Sequence, residues 1–86
     1  MTRFEFAPGS APMMLEDEDV ARLDAANATL RTVLREVRDT MEGVSPEQVY
    51  AALRAGLADR EAEGFVVDER SLRADAEAIS EGTLFG

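Results

Sequence analysis

The sequence predicts an all-α fold: a small three-helix domain with a long, heptad-patterned first helix, two shorter helices and a short extended N-terminal arm. Three observations carry this reading. Between Val20 and Val44 a stripe recurs at alternating spacings of three and four residues. Ser45-Pro46 restarts a helical pattern directly after Gly43, and Asp68 precedes a third pattern that ends at Gly82. One domain is expected, with residues 1–14 as a flexible or extended arm and 15–86 as the helical part.

Pro8, Gly9, Ser10 and Pro12 keep the arm out of a helix. Ahead of them, Thr2 to Phe6 alternates polar and apolar, the period of a short edge strand, and a flexible arm is the alternative. The first helix is expected over about 15–42. Its stripe is Val20, Leu23, Asn27, Leu30, Leu34, Val37, Met41 and Val44, an a/d heptad in which only Asn27 is polar. Glu16 to Asp19 complement the dipole at its start, and Gly43 suits its C-terminal cap. At 1.5 Å per residue it is roughly 40 Å long.

The second helix is expected over about 46–63. Ser45 caps it, Pro46 fits the first position because its missing N–H has no helical partner there, and Gln48 completes a capping box. Val49, Leu53 and Leu57 form its large apolar stripe, beside small residues Ala51, Ala55, Ala58 and Ala62. Gly56 costs about 1 kcal/mol relative to Ala inside a helix, which calls for a packing reason. Phe65-Val66-Val67 reads as an apolar link. The third helix, about 69–80, is capped by Asp68 and turns Leu72, Ala76 and Ile79 inward. Leu84 and Phe85 of the tail read as exposed.

Leu, Val, Ile and Phe number twenty in 86 residues, a lean core with no cysteine to staple it. Association with another chain is the expected remedy. Eighteen acids oppose nine arginines, for a net charge of −9. Such a charge repels nucleic acid and anionic membrane and suits a basic partner. The acids gather at 15–24 and 59–81, while 25–58 is balanced. No apolar run is long enough to span a membrane, and Met1 to Leu15 lacks the apolar region of a signal peptide, so a cytoplasmic location is expected. Arginine as the sole base, with one Ile and one Asn, suits a GC-rich bacterial, archaeal or phage genome.

Candidate chemistry is sparse. Without His, Cys or Lys the chain offers carboxylates, Arg, Tyr50 and hydroxyls, and no phosphate loop or nucleophile elbow. No catalytic residue, metal ligand or cofactor is expected. Glu16 to Asp19 lacks the alternation and glycine of a calcium loop. Asn27 on the heptad suits a register-fixing polar residue between chains, or a rim position if the stripe packs on its own chain. Arg31, Arg35 and Arg38 share one face and could grip an acidic partner, or pair locally, Arg35 with Asp39 and Arg38 with Glu42.

Ser45 to Arg54, followed by Arg60-Glu61-Ala62, resembles the second helix of ribbon-helix-helix antitoxins of the ParD type. That resemblance implies a first strand that reads DNA and a last, acidic helix that wraps a toxin. The first helix here is much longer than that fold has. The function expected is a non-enzymatic protein–protein interaction module: a small acidic adaptor, inhibitor or assembly subunit working through helix faces. Its candidate seam is Val20, Leu23, Asn27, Leu30, Leu34, Val37 and Met41, with self-association and a further protein partner. An antitoxin-type regulator is the alternative.

Overall fold

The computed structural model describes residues 2–9 and 11–84, in the order β1 (Phe4–Phe6), α1 (Asp17–Met41), α2 (Pro46–Ala62), β2 (Phe65–Val67) and α3 (Glu69–Glu81). The three helices fall within two residues of their expected bounds because their stop and start signals are local. Glu16 N–H donates to Asp19 Oδ2 at 3.2 Å in the first turn of α1. Ser45 Oγ accepts the Gln48 N–H at 3.4 Å, and Asp68 Oδ2 accepts the Ser71 N–H at 3.2 Å. Gly43 follows α1 at φ +84°, a conformation that a Cβ disfavours, and its N–H reaches the Ser80 carbonyl at 3.1 Å.

The strand pair is the main departure from expectation. Phe65-Val66-Val67 is a strand rather than a link. It pairs antiparallel with Phe4–Phe6 in the register Phe4↔Val67, Glu5↔Val66 and Phe6↔Phe65. Alternation then sends Phe4, Phe6, Phe65 and Val67 to the inner face, and Glu5 and Val66 outward. Ring centroids of Phe4 and Phe65 lie 6.1 Å apart, and those of Phe6 and Phe65 lie 5.4 Å apart. The N-terminal segment is thus an edge strand from Phe4 to Phe6, and the flexible alternative fails there.

Every element contributes to one core. Phe4, Ala26, Leu30, Leu34, Val49, Leu53, Leu57, Phe65, Leu72, Ala76 and Ile79 are each at most 1% exposed. Val49, Leu53 and Leu57 repeat at i, i+4, i+8, and burying side chains of this size stabilises by about 1.5–3 kcal/mol each. Leu84 was expected at the surface but is 8% exposed and joins this core, while Phe85 lies outside the described residues. The molecule measures 42 × 20 × 17 Å.

Gly56 has its packing reason. A Cβ built there would sit 2.8 Å from Val33 Cγ1 and 3.3 Å from Cγ2. Helices α1 and α2 touch backbone against side chain at this point, and only the missing methyl permits it.

Candidate interaction surface

Most of the heptad stripe lies against its own chain. Leu30 and Leu34 are fully buried, and Leu23, Val37 and Met41 are half-buried against the same core. Ala26, one position off the stripe, is equally buried, so the inward face of α1 is broader than the heptad. Within the chain, α2, α3 and the strand pair pack against this face. Val20 alone of the seam keeps a large exposure, 45%.

Asn27 is engaged within the chain. Its Oδ1 accepts the Phe4 N–H at 2.7 Å, and its Nδ2 donates to the carbonyls of Phe4 at 3.4 Å and Leu23 at 3.2 Å. The side-chain amide thereby takes the place of a neighbouring strand along the free edge of β1. That edge, which the antitoxin resemblance would turn into a DNA-reading ribbon, faces α1.

The arginine stripe divides. Arg38 pairs with the adjacent Asp39 at 2.9 Å, a partner one residue away rather than at i+4. Arg35 and Arg31 are exposed. A second charged group, unread in the sequence, lies between α2 and α3. Arg73 stacks on the Tyr50 ring at 4.5 Å and bonds Glu69 at 3.1 Å, and the Tyr50 hydroxyl donates to Glu69 at 3.2 Å. Hydrogen bonds from Arg73 and then Tyr50, with the Arg73 charge, hold the Glu69 carboxyl below the usual range. Clefts of about 440 and 270 Å³ open on either side of Tyr50. Among the described residues, no three acidic side chains come together in a group able to hold a metal ion.

Asp75 was also missed. It is 6% exposed and accepts the Thr2 N–H at 3.0 Å, tying the chain start to α3. An Asp within an amphipathic helix reads as solvated, and nothing local marks it as buried.

The apolar residues left uncovered lie elsewhere. Met13, Met14 and Leu15 are 103%, 79% and 64% exposed, in the link that enters α1. Val20 follows within the first turns, and Glu16, Asp17, Glu18 and Asp19 stand between. This is an apolar segment bordered by four carboxylates. Its flexible methionines can adapt to an irregular surface. Among the described residues, no helix is long and apolar enough to cross a membrane. Compared with known protein families, curated proteins and solved structures, the chain matches none of them.

Proposed function

We propose that the protein is a non-enzymatic interaction module whose contact surface is the entry to α1: Met13, Met14, Leu15 and Val20 with the acids Glu16 to Asp19. The exposure of Met13-Met14-Leu15 carries this reading, because three consecutive large apolar side chains in water favour a covering partner. The adjoining carboxylates select a partner whose apolar face is rimmed by Arg or Lys, and they accelerate its approach. Two copies of this chain would bring their acidic turns together, so charge favours a different protein over self-association at this surface.

The test is affinity capture from the native host by wild type and by the triple variant Met13→Ser, Met14→Ser, Leu15→Ser, with Val66→Ser as the control for an exposed apolar residue elsewhere. A partner should bind wild type and the control, release as salt rises, and miss the triple variant. Equal capture by all three chains refutes the assignment of the surface.

A further inference from the structure

Arg31, which the contact surface above does not use, borders a cleft of about 370 Å³ with Thr2, Arg3, Asp24, Asn27 and Leu30. That volume is within the usual range of small-molecule sites, about 300–1,000 Å³. The charges on its wall give it chemistry. Acids outnumber bases two to one in this chain, yet Arg3 and Arg31 form no ion pair among the described residues. Thr2 also lines the cleft, 5% exposed and held through its N–H by Asp75, but its hydroxyl is buried and closed to a ligand. Asn27 has both ends of its amide engaged by backbone, so it shapes the wall and leaves little capacity for a ligand.

We infer that this cleft binds a small organic carboxylate that also carries a hydrogen-bond donor, an amino acid or hydroxy acid. Arg3 and Arg31 bind the carboxylate through charge-assisted hydrogen bonds. Asp24 accepts from the donor and repels ligands that are anionic throughout, which turns the cleft away from phosphate. Leu30 supplies the apolar floor.

The test titrates the full chain with L-glutamate, with glutarate (the same dicarboxylate without the ammonium group) and with sodium chloride, reading amide and arginine side-chain shifts by NMR. Glutamate should produce saturable shifts centred on Thr2, Arg3 and Arg31. Arg3→Gln and Arg31→Gln, both at exposed positions, should each weaken it about tenfold, the size of one hydrogen bond to a charged group. Asp24→Asn should weaken glutamate and strengthen glutarate. Shifts that rise without saturation, that chloride reproduces, or that survive both arginine substitutions would overturn the site. Glutarate binding wild type as tightly as glutamate would overturn the role of Asp24.

Discussion

Substituting Leu for Asn27 should destabilise the chain and leave its mass unchanged. Phe4 is 0% exposed, and its N–H depends on Asn27 Oδ1 at 2.7 Å. Without that acceptor a buried donor loses its partner, at a cost of about 1–3 kcal/mol. The second contact, at 3.4 Å, is beyond the usual N–H···O range and adds little. Leucine at a half-buried position returns up to about 1 kcal/mol by burying methyl groups. The balance is a loss of about 1–2 kcal/mol, or a fall in Tm on the order of 10 °C for a domain of this size. Circular dichroism melting with light scattering at matched concentration measures both quantities, and hydrogen exchange at the Phe4 amide should accelerate locally. A raised Tm or an altered mass would refute the reasoning, for that is how a polar residue inside an intermolecular heptad responds to leucine.

Two further predictions concern the helix contacts. Gly56→Ala gains helix propensity worth about 1 kcal/mol, but its methyl meets Val33 at 2.8 Å. Because a β-branched side chain in a helix has few rotamers to escape into, the substitution should be neutral to destabilising by about 1–2 kcal/mol. In a Val33→Ala background it should instead stabilise, and denaturant unfolding of the four chains measures the coupling. For Glu69, the ionised form is the one bonded by Arg73 and Tyr50, so its folded pKa is depressed. Its contribution is present above the unfolded value and is lost as pH falls through the folded one. A carboxyl-carbon NMR titration should show the Glu69 midpoint rising in Arg73→Gln, and an unmoved midpoint would contradict the pairing.

Near neighbours in the chain carry the helices, which is why they are legible. Ser45-Pro46, Asp68, Gly43, Gly64 and Gly82 act within a turn of where they stand. Stripes such as Val49, Leu53, Leu57 follow directly from a period of 3.6 residues. The strand at Phe65 was harder to read, since three residues carry too short a pattern to tell a strand from a link. Its partner lies some sixty positions away, and only the returning chain brings the two together. The arginine stripe was legible as a face, while its partners depended on rotamers, so the adjacent Asp39 became a partner of Arg38.

The candidate surface was read less well than the fold. The heptad correctly marks which side of α1 is apolar, but period alone does not say whether the cover comes from the same chain or another. In the fold α2, α3 and the strand pair lie against the stripe, with Leu30 and Leu34 buried beneath them. The same closure turns Asn27 from a register residue into a brace for β1. It leaves exposed the Met13-Met14-Leu15 link, which sequence periodicity passes over. Sequence alone therefore determined the charge and the three helices, set by composition and by contacts within one turn. Tertiary structure determined which apolar side chains remain outside, because burial depends on every other element arriving at the same place.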